Sequence, residues 1–331
     1  MTVTDASTGD VLIVVPDDFP SVFDGSAAHE RAKTLGAENE STQQCGAVRV
    51  CGDRGADDAS ELARRIGNAK VAVNIRAYAP FTDAVFAACP HLRLVSIWGV
   101  GADHIDLESA ARHGVTVCNT PGANAIAVAE HAIALMLAVA RKIPQIDREM
   151  RAGAWPREML GQLHGKTLGI FGTGAIGTHV AKLARAFGMT VREWRARHDS
   201  VAQRDEILRG ADFVSLHVRL TPRTRGFIGA REFALMKPSA VLINTGRGAL
   251  VDRDALHDAL ANQRIAGAGL DVFHDEPLKA DDPILGFANT VLSPHNAGQT
   301  PEVRRDGLLL TIENVERFLA GAPQNVVGLN A

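Results

Sequence analysis

The chain has 331 residues, more than one hydrophobic core usually supports, so we expect two domains. With 46% hydrophobic and 22% charged residues, and 35 basic against 38 acidic side chains, the composition is typical of a globular protein and gives no basis for nucleic-acid or membrane binding. The apolar run near the start, VLIVV, is too short for a signal peptide or membrane span, which favours a cytoplasmic protein. The four cysteines form no CxxC pair, so neither a disulfide nor a metal site is expected.

The first part of the chain alternates short Val/Ile/Leu-rich runs with helix-length segments. Such runs predict a parallel sheet covered on both faces, with strands at residues 11–15, 48–51, 71–75, 92–98 and 115–118. An Ala-rich helix is expected next, from 125 to 142, with Asn124 as N-cap and Pro144 as a stop signal. Its small side chains favour close packing, and we interpret it as a hinge element between domains or part of a subunit interface.

A second alternating series begins after this helix. It predicts another doubly wound α/β unit, with strands at residues 167–171, 190–194, 213–217, 240–244, 265–270 and 290–292. The helical pattern at 301–319 is expected to return to the first domain. The predicted domains are therefore 1–120 with 301–331, and 121–300.

A glycine motif, GTGAIG, lies between the first strand of the second unit and the helix that follows. Gly172 allows a tight turn, Gly174 lets the backbone approach a pyrophosphate, and Gly177 permits close packing of helix on strand. Free N–H groups at the helix start, at Ala175 and Ile176, would face the anion. The motif in this context predicts a dinucleotide site, and a side chain at position 174 should block cofactor entry.

The next strand ends where NAD-binding proteins usually carry an acidic residue for the ribose 2′-hydroxyl. Here it ends in Arg195, Ala196 and Arg197. Two guanidinium groups remove repulsion against a 2′-phosphate and offer bidentate partners for it, so we predict NADP(H) as the cofactor. The alternative is an NAD enzyme in which both arginines are solvated surface residues.

Ionisable residues follow three further strands, at the carboxyl ends where open α/β sheets bind ligands. Arg247 is flanked by glycines at the tip of a buried strand, where a stray charge would be costly, and a carboxylate-binding role fits it. Asp271 and Glu276 follow the next strand in LDVFHDEP, and His295 follows the last one in SPHNAG. Each strand end therefore presents a chemically active side chain.

Four segments in this order and spacing, GTGAIG, NTGRG, LDVFHDEP and SPHNAG, resemble those of the D-isomer-specific 2-hydroxyacid dehydrogenase family. The similarity runs through nearly the whole chain and includes residues 97–106, 117–131 and 163–172. It implies a Rossmann NAD(P)-binding domain, a flavodoxin-like substrate domain and a homodimer. The chain departs from the family pattern at Gly246, where Ala is commoner, and at Arg219, where Pro is usual.

The resemblance implies a catalytic triad and a reaction. Arg247 would orient the substrate carboxylate and carbonyl, His295 would exchange the proton, and Glu276 would hydrogen-bond and tune His295. Hydride addition to a carbonyl builds negative charge on oxygen, so an imidazolium can donate a proton while a guanidinium fixes the oxo acid. The expected reaction interconverts a small 2-oxo acid and its D-2-hydroxy acid with NAD(P)H.

The same resemblance assigns further ligand contacts. The remaining cofactor contacts would be at His217, Val218, Thr245, Gly246, Asp271, Ala297 and Gly298, with Asp271 holding the nicotinamide carboxamide. The family's substrate-carboxylate loops would correspond to Arg76, Ala77, Tyr78, Gly99 and Val100. Backbone N–H groups in such loops hold a carboxylate without any particular side chain, so neither the acid nor the direction of the reaction follows from the sequence.

Two other functions stay open. A dinucleotide-sensing interaction protein would resemble the corepressors that share this fold, although this chain lacks long tails for partner recruitment. A phosphite-type dehydrogenase is the second alternative, whereas formate dehydrogenases of the family carry Gln in place of Glu276. The expected partner is a small 2-oxo or 2-hydroxy acid.

Overall fold

A computed structural model describes residues 11–35, 47–76, 78–196 and 198–328. The chain divides into two compact units: unit one runs to Ala123 and resumes at Pro301, and unit two runs from Asn124 to Thr300. Each unit is built around one sheet in which every strand pair is parallel. The predicted α/β class with two parallel sheets is confirmed.

The described residues form eleven strands and eleven α-helices. The strands are β1 (Val11–Val15), β2 (Ala47–Val50), β3 (Val71–Asn74), β4 (Leu94–Ile97), β5 (Thr116–Cys118), β6 (Thr167–Phe171), β7 (Thr190–Trp194), β8 (Phe213–Leu216), β9 (Val241–Asn244), β10 (Gly267–Leu270) and β11 (Thr290–Leu292). The helices are α1 (Ala27–Leu35), α2 (Ala59–Ile66), α3 (Asp83–Ala88), α4 (Leu107–Arg112), α5 (Ala125–Ala140), α6 (Ile143–Arg151), α7 (Ala175–Ala186), α8 (Val201–Gly210), α9 (Ala230–Leu235), α10 (Arg253–Ala261) and α11 (Pro301–Leu319).

The sheet of unit one has the strand order β2-β1-β3-β4-β5. Successive side chains of a strand point to opposite faces, and here both faces are buried. Val14 and Ala72 belong to one hydrophobic cluster, whereas Ile13 and Val73 belong to another. Helix α11 packs against β4, where the Ser96 hydroxyl donates a hydrogen bond of 2.9 Å to a carbonyl of that helix.

The sheet of unit two has the order β11-β10-β9-β8-β6-β7. Helix α5 packs against β9, β10 and α7, so it belongs to the core of unit two. Glycines in β10 make this approach possible, because a Cβ added at Gly269 would lie 2.9 Å from the Cβ of Leu135. Among the described residues, no helix is long and apolar enough to cross a membrane.

The ends of some elements differ from the sequence prediction. Strands β4 and β10 each begin two residues later than expected, because Leu92 and Ala266 bond to neighbouring turns and loops. Asn124 takes the predicted N-cap position of α5, but its side chain makes no capping hydrogen bond. Pro144 was expected to stop the helix after residue 142. It lies instead in the first turn of the next helix, α6.

Candidate active site

The glycine loop lies where the strand order of unit two reverses, between β6 and β8, the position at which open α/β sheets bind ligands. Gly172 has a φ of +100°, and a Cβ there would lie 2.6 Å from the backbone of His217. A Cβ at Gly177 would lie 2.0 Å from the carbonyl oxygen of Gly172. Both positions therefore require glycine for the loop to pack between β6, β8 and α7.

The start of α7 forms a cradle with open space in front of it. Helix α7 begins at Ala175 without a side-chain capping bond, so N–H groups of its first turn, including that of Ile176, have no capping partner. A Cβ added at Gly174 would meet no atom of the described residues within 4 Å. Nearby in the same sheet, Thr245 follows β9, and its buried hydroxyl has no hydrogen-bond partner among the described residues. These features fit the pyrophosphate and further polar groups of a dinucleotide.

The position of the expected acidic residue is occupied by Arg195, directly after β7. Its side chain is 58% exposed, and its backbone N–H donates a hydrogen bond of 2.6 Å to the carboxylate of Asp199. The Arg195 Nε lies 3.7 Å from the same carboxylate. Arg197, the second predicted 2′-phosphate ligand, lies outside the described residues. The arginine therefore faces solvent beside an acidic side chain that the sequence reasoning overlooked.

His217 and Val218 follow β8, and their backbone borders the glycine loop. Burial lowers the pKa of His217 to about 4, so its imidazole is neutral at neutral pH. Its Nε2 lies 2.8 Å from the hydroxyl of Ser215. This histidine is therefore unsuited to donate a proton as an imidazolium near neutral pH.

The loop after β9 places Arg247. The side chain of Asn244 shapes it, accepting a hydrogen bond of 3.0 Å from the Gly246 N–H and donating one of 2.9 Å to the Arg247 carbonyl. A Cβ at Gly248 would lie 2.1 Å from the backbone of Phe273. Because Phe273 begins the segment that carries Glu276, Gly248 allows the arginine loop and the glutamate loop to touch.

The three predicted catalytic residues come together in unit two. The Nδ1 of His295 lies 2.6 Å from Oε2 of Glu276, and Oε1 of Glu276 accepts a hydrogen bond of 2.9 Å from the Phe273 N–H. Burial opposes ionisation of Glu276, but His295, the Phe273 N–H and Arg247 outweigh it and hold the pKa of Glu276 below its ordinary value. The side chains of His295 and Glu276 are 39% and 35% exposed, so a ligand can reach them.

Asp271 lies behind this group and is fully buried. Its Oδ1 accepts hydrogen bonds from the Ser293 hydroxyl at 2.7 Å and the Asn296 N–H at 3.0 Å, and its Oδ2 accepts one of 3.0 Å from the Ala297 N–H. The structure thus gives Asp271 a role in holding the loop that carries His295. Its contact with a nicotinamide carboxamide stays a prediction.

The first predicted substrate loop of unit one follows β3, beside the reversal of strand order between β1 and β3. The Arg76 guanidinium donates a hydrogen bond to the Pro20 carbonyl. The Tyr78 hydroxyl donates one of 3.0 Å to Asp17, and burial together with that carboxylate raises the pKa of Tyr78 to about 12. Ala77 lies outside the described residues.

The second predicted substrate loop follows β4. Gly99 has a φ of +146°, and its N–H donates a hydrogen bond of 2.8 Å to the Thr120 hydroxyl. The Val100 carbonyl accepts one of 2.8 Å from Asn119. The loop is therefore fixed by hydrogen bonds within its own unit.

Four residues with clear roles at the site were not predicted. Asn244 and Gly248 shape the arginine loop, while Ser293 and His131 bond to each other at 2.8 Å behind the loop that carries His295. His131 had a signal in the sequence, because it and Glu130 are the two polar residues of a helix whose other residues are apolar. In the described ranges, no group of three His, Cys, Asp or Glu side chains is arranged to hold a metal ion.

Comparison with known proteins adds to this geometry. A family model for the NAD-binding domain of D-isomer-specific 2-hydroxyacid dehydrogenases matches residues 133–297. The glyoxylate reductase of Korarchaeum cryptofilum is 41% identical over 268 residues, which cover 75% of this chain and 80% of that protein.

Solved structures match over almost the full length. An acyclic imino acid reductase in complex with NADPH and D-Arg has a TM-score of 0.85 at 30% identity, covering 96% of this chain and 100% of that one. The NADPH-dependent glyoxylate/hydroxypyruvate reductase of Sinorhizobium meliloti, in complex with NADP and malonate, has a TM-score of 0.78 at 28% identity, covering 96% and 97%.

The paired parallel-sheet units and the glycine loop define a nicotinamide-dependent oxidoreductase. The chain belongs to the D-isomer-specific 2-hydroxyacid dehydrogenase family, as its similarity to the archaeal relative and the family model shows. It is an NAD(P)-dependent enzyme of that family.

Proposed function

We propose that the protein reduces a small 2-oxo acid, such as glyoxylate or hydroxypyruvate, to the D-2-hydroxy acid with NADPH. The observation that carries this proposal is the 2.6 Å contact between His295 and Glu276 close to Arg247, in the unit that contains the glycine loop. The glyoxylate reductase of Korarchaeum cryptofilum and the reductase of Sinorhizobium meliloti support the substrate class.

Each member of the triad has one task in the proposed reaction. A nicotinamide held by the glycine loop would supply the hydride. His295 uses Nδ1 to bond Glu276, which leaves Nε2 to donate a proton to the carbonyl oxygen as charge develops there. Glu276 stays ionised at neutral pH despite burial, since its contacts hold its pKa below the ordinary value, so it stabilises the imidazolium and fixes the orientation of the ring. Arg247 binds the substrate carboxylate and keeps the planar oxo acid in place.

The loops that follow β3 and β4 of unit one stay predicted substrate contacts. One predicted loop contains Gly99 and Val100, which bond Thr120 and Asn119, and the other contains Arg76, Ala77 and Tyr78. Backbone recognition leaves the substrate side chain largely unspecified. A panel of 2-oxo acids of increasing length, assayed with NADPH and NADH, tests both the substrate class and the cofactor. If none of these acids is turned over with either cofactor, the proposed reaction is refuted.

The cofactor preference rests on Arg195 and Arg197. The two solved structures bound to NADPH or NADP support a phosphorylated cofactor for proteins of this shape. Asp199 beside Arg195 acts against it, because a carboxylate repels a 2′-phosphate. We propose that the guanidinium reaches past Asp199 to the phosphate. Comparing kcat/KM for NADPH and NADH decides this point directly.

A homodimer is proposed from the exposed apolar surface around α6. No residue of α6 is buried, and Ile143 is 54% exposed. In the segment after the helix, Trp155 is 71% and Met159 98% exposed. Apolar side chains grouped in this way mark interaction surfaces. Light scattering after size exclusion should give about twice the chain mass, and Trp155→Ser with Met159→Ser should shift the protein toward the monomer.

A further inference from the structure

The loop that carries His295 needs support from its surroundings. His295 has a φ of +52°, a left-handed conformation that is uncommon for residues other than glycine. The backbone carbonyl of Asp271 accepts a hydrogen bond of 2.7 Å from the His295 N–H. The carboxylate of Asp271 accepts hydrogen bonds from the N–H groups of Asn296 and Ala297, the two residues after His295. One buried aspartate therefore fixes three successive backbone groups around the catalytic imidazole.

Ser293 and His131 fix that aspartate in turn. The Ser293 hydroxyl has one proton, which it donates to Asp271 Oδ1 at 2.7 Å. Its second contact, with Nε2 of His131 at 2.8 Å, therefore has the imidazole as donor. The chain of donors runs from His131 through Ser293 to Asp271, and the His131 Nε2 lies 3.6 Å from the Asp271 carboxylate.

The far end of the loop also rests on the start of α5. A Cβ added at Gly298 would lie 3.4 Å from the Cβ of Asn124, so the backbone there packs against the residue that precedes α5. His131 lies two turns further along the same helix. Helix α5 is anchored on β9 and β10, and thus provides a rigid support for both ends of residues 293–298.

We propose that His131 and Ser293 are positioning residues for His295, acting through Asp271. Donation by His131 keeps the Ser293 hydroxyl turned toward Asp271, so that both carboxylate oxygens of Asp271 hold the loop in its left-handed conformation. That conformation keeps Nδ1 of His295 on Glu276 and leaves Nε2 for the substrate. This inference rests on the proposed role of His295 as proton donor.

The test compares Ser293→Ala and His131→Leu in the full-length protein. Each removes one link, and we expect kcat to fall about tenfold because the imidazole is misplaced by a fraction of an ångström. The dissociation constant for NADPH should rise by a smaller factor than kcat falls, since the glycine loop is untouched and only the predicted contacts at Asp271, Ala297 and Gly298 are disturbed. Amide hydrogen exchange in the peptide covering 293–300 should become faster without any cofactor present.

Conservative variants separate positioning from a general loss of packing. Ser293→Thr keeps the hydroxyl and His131→Gln keeps an N–H donor, so both should recover kcat to within about threefold. The double variant Ser293→Ala with His131→Leu should be no slower than either single variant, because the two residues act in one chain. Glu130→Ala is the matched control on α5, since Glu130 is an exposed neighbour of His131.

A separate pair of variants distinguishes this inference from the proposed reaction. If His295→Ala keeps full turnover, the proton-donor role fails whatever Ser293 does. If His295→Ala is impaired while Ser293→Ala and His131→Leu keep full kcat and parental hydrogen exchange, the positioning role alone is wrong. Independent effects that multiply in the double variant would also overturn it. Should His131→Leu fail to fold, the comparison of Ser293→Ala with Ser293→Thr still decides the outcome.

Discussion

The two sheets of this protein share a winding order but use their strand ends differently. Unit two repeats the order of unit one and adds a sixth strand, so each sheet has a reversal beside its first strand. In unit one, the carboxylate of Asp18 after β1 has a structural role. Asp18 is fully buried and accepts four hydrogen bonds from its own loop. In unit two, the side chains of Glu276 and His295 are both more than one-third exposed, at 35% and 39%. The strand order therefore determines where ligands can bind. Chemistry can occur where the polar side chains at those strand ends are exposed rather than buried and fully hydrogen-bonded within the fold.

The largest expected effect lies in unit two. Replacing His295 by Ala should lower kcat by about 10²- to 10⁴-fold, because the developing charge on the carbonyl oxygen loses its proton donor. The affinity for NADPH, measured by fluorescence titration, should be preserved. His91→Ala is the matched control, since His91 is an exposed histidine in the turn before β4. Full turnover by the His295 variant would mean that the strand ends of unit two are no more catalytic than those of unit one.

The second effect concerns His217, the buried histidine that follows β8 where the strand order of unit two reverses. Burial lowers the pKa of His217 from its ordinary 6.5 to about 4. Between these values the unfolded chain binds a proton that the folded protein does not, so the free energy of unfolding falls as the pH is lowered, by about 3 kcal/mol over the window. His217→Gln should flatten this part of the curve in urea unfolding between pH 7 and pH 4. An unchanged pH dependence would show that His217 protonates freely in the fold.

Much of this arrangement was predictable from the sequence, because parallel strands buried on both faces read as continuous apolar runs. Strands β1, β6, β7 and β11 have the bounds expected, and the residues after the strands of unit two come together as their positions at one sheet edge predict. The features that the sequence did not predict depend on residues distant in the chain. The side chain of Asn124 makes no capping hydrogen bond to α5 and lies against Gly298 instead. The support of His295 by His131 likewise needs a helix and a loop that only the fold brings together.

A smaller effect is expected for the carboxylates of unit one. Asp18→Asn replaces an acceptor oxygen by an amide donor that faces backbone N–H donors, and should lower the free energy of unfolding by about 1–3 kcal/mol. The turnover of the folded enzyme should stay within about twofold, because the hydrogen bonds described for Asp18 all come from its own loop. Asp24→Asn is the control in that loop, since the Asp24 side chain is 66% exposed and its carboxylate contacts His29, at 3.0 Å, rather than the backbone N–H groups held by Asp18. A loss of kcat at unchanged stability would mean that unit one, too, has reactive strand ends.

The smallest effect sharpens the comparison at the edge of unit two. Arg195→Ala should lower kcat/KM for NADPH about tenfold and leave that for NADH within about twofold, because only the phosphorylated cofactor offers a charge to the guanidinium. Asp199→Asn should act in the opposite direction, since it frees Arg195 from a carboxylate 3.7 Å from its Nε. Steady-state kinetics with both cofactors measures the two variants. Equal losses with NADH and NADPH in the Arg195 variant would assign the arginine to the surface rather than to the cofactor, because a residue that reads the 2′-phosphate must discriminate between them.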